Sequence, residues 1–331
     1  MSQPEPPPRS HEAEEDPTPT TVVTGADRAA GAIVVALLTQ RGHHVIGVDT
    51  PRSRPLGPVR DGHHDATGHH SMGSVPALAR LVAESHADLV IPTLPAEVAE
   101  LSAARTLLEG LGASVMIAGA GPVALVSDRL FALSYLHSRD VRVPRFALPG
   151  DVADVREALE LFGGPFVASP RSKRNTRSAL LIADTDSENW EAIDDDWILR
   201  ETLPGDHYRV MAHRPVQGRS GRLAAVVRDP SGQDRPWGPP APTGIPESAS
   251  RLEAPEIERR ALAAIRAVGL TGPSTVEIML ASDGSPVVTD IDATFGQHLR
   301  LAPELLDVAL AGIDPSGGEE RPPATPPTVS P

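Results

Sequence analysis

The sequence predicts an α/β unit followed by an α+β unit, and three observations carry that expectation. From residue 20 to about residue 120, helix-length segments alternate with short apolar runs, the pattern of a parallel sheet covered on both faces. From residue 121 to 313 the rhythm changes to runs of strands joined by short loops, which argues for antiparallel pairing. Hydrophobic residues make up 40% of the 331, enough for substantial cores. Residues 1–19 and 314–331 instead lack the apolar side chains that would offset the entropy of ordering them, and are expected to be disordered tails.

The elements follow in order. "TVVTG" reads as a strand and "RAAGAIVVALLTQRG" as a helix, with Ile33, Leu37 and Leu38 at helical spacing and Gly42 as its stop; "HHVIGVD" is the next strand. A helix over "SVPALARLVAESH", a strand "ADLVIPT", one helix over "PAEVAELSAARTLLEGLG" and a strand "SVMIAG" complete the first unit near Ala120. Ser127 and Asp128 are candidate caps for a helix "SDRLFALSYLHSRD", and "DVADVREALELFG" forms another. Strands "PFVASP", "SALLIAD", "DWILRETL", "HYRVMAH" and "RLAAVVRD" come next. The Pro-rich stretch "PWGPPAPTGIPESAS" is long enough to be a lid or an insertion. A helix at 255–268 and the strands "STVEIML" and "SPVVTDIDATFG" finish the unit.

Several classes of function are excluded or disfavoured. With no cysteine there is no disulfide, thiol or Cys-zinc chemistry, and a net charge of −14 argues against a duplex nucleic-acid partner. The longest apolar run, "AIVVALL", is too short to cross a bilayer, and the acidic, Pro-rich N-terminus does not read as a signal peptide, so a cytoplasmic location is expected. The run "GHHDATGHH" lacks a spacing that converges its rings and reads as a solvated loop. The glycine turn at Gly25 with Asp49 closing the next strand resembles the opening of short-chain dehydrogenases and sugar epimerases, which implies NAD(P). The glycine motif is incomplete, however, and the family's Tyr–Lys pair finds only Tyr135 and Arg139.

The second unit carries the stronger chemistry. Asp290 and Asp292 alternate with Ile291 on a strand and share a face that Glu277, on the preceding strand of a hairpin, can reach. Each close pair of such carboxylates repels by about 4 kcal/mol at an effective dielectric near 20, and a bound cation relieves it. Hard oxygen ligands suit Mg²⁺ bridging phosphates; the alternative is a solvated polar face.

A "DR" helix, a hairpin with a basic loop, "LRETLPGDHY" and "VEIMLASDGSPVVTDIDATFG", in that order, resemble the ATP-grasp superfamily, closest to its carbamoyl-phosphate-synthetase-like carboxylate–amine ligases. "DLVIPTLPAEVAEL", with Glu97, is similar to the domain that precedes the ATP-grasp unit in those ligases. The resemblance implies Mg-ATP as cofactor, with Arg129 facing the phosphates and Ser169 standing where the family has its phosphate-binding lysine. It implies a phosphate-covering loop, here carrying Arg171, Lys173 and Arg177; Lys173, the single lysine of the chain, is not the family's lysine and is expected to reach the phosphates from the side opposite the missing one. Arg200, in place of Gln, with Glu201 and Leu203 would form the adenine hinge, and His207 would replace an acid that contacts ribose. Glu277, Asp290 and Asp292 match the Mg²⁺ ligands, Thr294 replaces a substrate-handling Arg, and Arg300 is the candidate to hold the substrate carboxylate in its place. The implied reaction joins a small-molecule carboxylate to an amine through an acyl phosphate, in a chain whose relatives are often homodimers. A non-catalytic nucleotide binder is the competing expectation, because the lysine at 169 and the glycines of the loop are gone.

Overall fold

A computed structural model describes residues 18–49, 70–71, 75–175, 177–187, 190–215, 223–229 and 249–313. Its first unit is a parallel sheet. Strands β1 (Thr20–Thr24), β2 (His44–Asp49), β3 (His70–Ser71), β4 (Leu89–Pro92) and β5 (Ser114–Val115) lie in the order β3-β2-β1-β4-β5. Helices α1 (Ala29–Gln40) and α2 (Val75–Ser85) connect them, as expected from the period change along the sequence. Gly31 is required where α1 crosses β1. A Cβ there would press into the Gly25 carbonyl, so only glycine allows the helix to approach the turn so closely.

The single helix expected over 95–112 is two, α3 (Pro95–Ala103) and α4 (Arg105–Glu109). Ala104 leaves helical geometry at φ −87°, ψ 2°, and the break brings Leu108 into the core while Arg105 Nη1 donates to the Ile117 carbonyl at 3.3 Å. The histidine-rich run up to Gly68 and His69, the Pro-rich stretch 236–248, residues 1–17 of the N-terminal tail and the whole C-terminal tail 314–331 lie outside the described residues.

Helices α5 (Ala120–Val126) and α6 (Arg129–Ser138) lead into the second unit. Asp128 caps α6, its carboxylate accepting from the backbone N–H groups of Leu130 and Phe131. A small antiparallel sheet follows, built from β6 (Phe146–Ala147), β7 (Phe166–Pro170), β8 (Leu180–Ile182) and β9 (Trp197–Glu201) in the order β6-β9-β7-β8, with α7 (Val155–Phe162) against it. It has its own core, in which Phe166 is wholly buried, 5.4 Å from Phe162 and edge-on to Trp190.

The larger sheet comprises β10 (His207–Arg214), β11 (Leu223–Arg228), β12 (Ser250–Leu252), β13 (Gly272–Leu280) and β14 (Pro286–Asp292), ordered β12-β11-β10-β13-β14. Helices α8 (Pro255–Val268) and α9 (Glu304–Ala311) pack against it. Its core is continuous with that of the parallel sheet: Val22 and Ile46 belong to the same buried cluster as Tyr208, Val276 and Ile291. Arg41 at the end of α1 bridges to Asp307 on α9 at 2.5 Å.

Candidate active site

Two features of the large sheet create a polar face. Antiparallel pairing sets Arg209 of β10 opposite Glu277 of β13, and Glu277 opposite Asp290 of β14. Beyond Glu277 the pairing shifts, so that Ile278 faces Val288 and Thr289 is the extra residue of a bulge. Met279 shares the face of Glu277 by strand alternation, and the bulge changes the parity of β14 so that Val287, opposite Met279, joins the same face as Asp290 and Asp292. The expectation that the three acids share one face matches this pairing; the place of Val287 on that face depends on the bulge, which no sequence period announces.

Basic side chains fill the space over these acids. Lys173 reaches in from the loop after β7, placing Nζ 2.7 Å from Asp290 Oδ1 and 2.6 Å from Asp292 Oδ1, with a further bond of 2.6 Å to the Ile291 carbonyl. Its side chain is only 4% exposed. Arg129 Nε lies 3.3 Å from Asp290 Oδ2, and its Nη1 donates to the Pro170 carbonyl at 2.8 Å. Arg209 is clamped between Glu277 and Asp229, and His298 Nε2 approaches Asp229 at 3.2 Å. His207 Nε2 stands 3.8 Å from Glu277 Oε2.

The sequence reading missed Arg209, Asp229 and His298. Only Arg209 had a legible signal, as a charge between the apolar neighbours Tyr208 and Val210 within a strand.

The electrostatics follow from burial and contact. Burial opposes the charge of Lys173, but Asp290 and Asp292 outweigh it and hold the ammonium above its ordinary value. Burial raises Asp290 and is overcome by Lys173 and Arg129, which bring it down to about 2. Burial pushes Asp292 upward, and Asp290 beside it adds to the rise. Glu277 is lowered despite its burial, chiefly by Arg209.

A basic side chain from the neighbouring strand lies beside Ser169. Ser169 is buried on β7, and Arg200 Nη2, from the adjacent strand β9, bonds its hydroxyl at 3.2 Å. Arg200 Nη1 donates at 2.9 Å to the carbonyl of Thr289, the bulge residue. Burial lowers this guanidinium to about 10. The buried positive charge beside β7 is thus supplied from β9, the strand paired with it.

The other basic residues of the loop turn away from the acids. Arg171 Nη2 binds Asp128 at 3.1 Å and its guanidinium lies over Phe131, while Arg177 pairs with Asp194 at 3.2 Å and stacks on Trp197. Arg300 is exposed on the short helix Gln297–Leu301 and makes none of the contacts described above.

A cavity of about 600 Å³ opens beside this face, lined by Glu201, Leu203, Gly205 and Met279 with Phe162 and Leu181 from the small lobe. Gly205 is needed at its rim, because a Cβ there would collide with the Leu280 backbone that the hinge loop crosses. The Glu201 carboxylate is turned toward Arg145, accepting from its backbone N–H and from Nε at 2.8 Å each.

No protein-family model and no curated protein matches the sequence. Solved structures do match the fold. N5-carboxyaminoimidazole ribonucleotide synthetase from Thermotoga maritima superposes with a TM-score of 0.58 at 17% identity, covering 84% of this chain and 69% of that one. N5-carboxyaminoimidazole synthetase from Staphylococcus aureus, complexed with ADP, gives a TM-score of 0.63 at 15% identity over 89% of this chain and 76% of that one. The chain has the ATP-grasp fold. L-amino acid ligase from Bacillus licheniformis is similar as well, with a TM-score of 0.60 at 14% identity and coverage of 87% and 70%. In ATP-grasp terms the crevice between the two antiparallel sheets holds the cavity at one end and the charge cluster at the other.

The glycine turn of the first unit offers little to a dinucleotide. Leu94 packs directly over Gly25, and Asp27 and Glu97 lie around the start of α1 where a pyrophosphate would need positive surroundings. Burial pushes the Glu97 carboxyl up to about 6, with Asp27 and Glu100 adding. Because the folded chain holds this proton above the unfolded value of 4.5, stability falls as pH rises from 4.5 to about 6 and stays lower above that. Glu97→Gln is therefore expected to stabilise the chain by about 1 kcal/mol near pH 7, allowing for partial solvent screening, and to have little effect near pH 4. Urea unfolding of both proteins at the two pH values measures this.

Proposed function

We propose that this chain binds an adenine nucleotide in the crevice between its two antiparallel sheets, and that ligation of a small carboxylate to an amine is the reaction of the site. The cavity of about 600 Å³ at Glu201–Gly205 carries this reading, since its volume and its apolar floor of Leu203 and Met279 suit a purine. The base would rest there, with the phosphates directed along β13 toward Arg129, Arg200 and the acids. In this reaction class the γ-phosphoryl group passes to a substrate carboxylate, breaking its bond to ADP. The amine nitrogen then attacks the acyl carbon and phosphate leaves. Arg129 and Arg200 would orient the phosphates, and the walls of the crevice would exclude water from the acyl phosphate. Arg300 remains the proposed holder of the substrate carboxylate.

Mg²⁺ at Glu277, Asp290 and Asp292 does not fit the arrangement described. Their oxygens are engaged by Lys173, Arg129, Arg209 and His207, and among the described residues no group of three acidic or histidine side chains could hold a metal ion. The same contacts favour a second reading, nucleotide binding without turnover, because phosphoryl transfer draws on cationic charge that these acids already neutralise.

The test is direct. ATP and ADP should raise the melting temperature of the full chain, and ADP release should require both an acid and an amine from a panel of amino acids and small acids. Saturable binding with no ADP release from any pair decides for the second reading. No stabilisation by either nucleotide refutes both.

A further inference from the structure

The acidic pair at the end of β14 already holds a cation. Lys173 Nζ has three oxygen partners at 2.6 to 2.7 Å: Asp290 Oδ1, Asp292 Oδ1 and the Ile291 carbonyl. That uses all three donors of an ammonium group. A Mg²⁺ ion would need its oxygens at roughly 2.1 Å in octahedral geometry, and it cannot share the same carboxylate oxygens with an ammonium without bringing two cations into contact.

The segment 171–174 that delivers the lysine is docked against its neighbours. Lys173 N donates to the Ser127 carbonyl at 3.0 Å, Arg129 N donates to the Arg171 carbonyl at 2.9 Å, and Ser172 forms a β-bridge with Asp128. Arg174 reaches Glu100 on α3 at 3.4 Å, tying the loop to the parallel-sheet unit as well. The lysine position is therefore set by backbone bonds at Arg171, Ser172 and Lys173 itself, with the Arg174 ion pair on its other side, and does not depend on the lysine side chain alone.

The charges balance without a metal. Lys173, Arg129, Arg200 and Arg209 face Asp290, Asp292, Glu277 and Asp229, four basic against four acidic side chains. A divalent ion added to this set would leave it two charges in excess, or one if it displaced the ammonium from its buried site.

We propose that the Lys173 ammonium is the resident cation of the Asp290–Asp292 pair, so that this chain takes up nucleotide without a divalent metal at those carboxylates. The metal half of this inference stands on the contacts above. The nucleotide half rests on the crevice reading, and deepens the version of it without turnover.

Two measurements on the full chain keep the halves separate. In the first, Mn²⁺ alone is titrated against the wild type and Lys173→Met, with free Mn²⁺ read by electron paramagnetic resonance. The wild type should take up none at this site, and the variant should bind one ion per chain at least about tenfold more tightly than any wild-type uptake. Should Lys173→Met not fold, Lys173→Gln, which removes the charge but keeps an amide donor in the loop, is read in its place. In the second, ATP affinity is measured calorimetrically in excess EDTA and in excess Mg²⁺. Wild-type affinities should agree within about threefold, and the variant should gain about tenfold from the metal.

Stoichiometric Mn²⁺ uptake by the wild type that Asp290→Asn abolishes overturns the inference, whatever the nucleotide does. Wild-type ATP binding that needs Mg²⁺ overturns it too, while leaving the crevice reading intact. No ATP binding under either condition refutes the crevice reading and with it the nucleotide half, and the Mn²⁺ titration then decides the metal half by itself.

Discussion

Lys173→Met is expected to lower the unfolding free energy by about 3–5 kcal/mol near neutral pH, the cost of removing one partner from a buried ion pair. The variant keeps the volume and the loop, and removes the charge that holds Asp290 and Asp292 together. The effect should depend on pH in a defined direction. In the wild type the raised pKa of Lys173 keeps its contribution complete at every pH below its unfolded value of 10.5. Asp290, lowered from 3.8 to about 2, contributes above 3.8 and loses its share as pH falls through 2. In the variant, Asp292 loses its counter-ion beside a second carboxylate and should take up a proton first. The deficit should therefore shrink steadily from about pH 7 to about pH 4. Urea unfolding of the two proteins across this range measures it. A loss under about 1 kcal/mol, independent of pH, would show that the lysine behaves as a surface ion pair.

Ser169→Lys is the second large effect, and it should be rescued by a change on the next strand. A lysine at 169 would place a second cation beside the buried Arg200 guanidinium, in a position where the wild-type serine is 3% exposed. Desolvation and like-charge repulsion together should cost about 3 kcal/mol or more. Arg200→Gln alone should cost about 1–3 kcal/mol, because the Thr289 carbonyl at the bulge loses its donor. The double variant should be more stable than the sum of the singles predicts by about 1–3 kcal/mol, the coupling expected for two residues competing for one space. Thermal unfolding of the four proteins completes the cycle. Additive losses would mean that the Ser169 and Arg200 positions are independent, and that the charge on β9 does not stand in for one on β7.

Much of the architecture was legible because it depends on local periodicity. The helical spacing around Ile33 and Leu37 and the Asp128 cap of α6 are matched in the structure, as are the alternation of helices and strands up to β5 and the antiparallel run after β6. The order of motifs from Asp128 to Phe295 sufficed for the resemblance to ATP-grasp proteins, whose fold the chain has. The break at Ala104 escaped because Leu108 and Arg105 are drawn to partners at residues 117 and beyond the helix, which no window of helix propensity includes.

The site divides along the same line. Sequence alone determined which residue types lie on each strand: three acids on the last hairpin, a serine on β7 where a lysine was expected, an arginine on β9, and one lysine in the loop. Tertiary structure decided what these charges do. Whether Lys173 points to phosphate or to carboxylate depends on where the loop docks against Ser127 and Glu100, residues 46 and 73 positions away from it in the chain. Whether Arg200 stands in for position 169 depends on the pairing of β7 with β9 and on a bulge in β14 that leaves the Thr289 carbonyl in need of a donor. Charge in a buried crevice is satisfied by whatever lies within hydrogen-bonding distance. That distance is a property of the folded chain, and no spacing along the sequence encodes it.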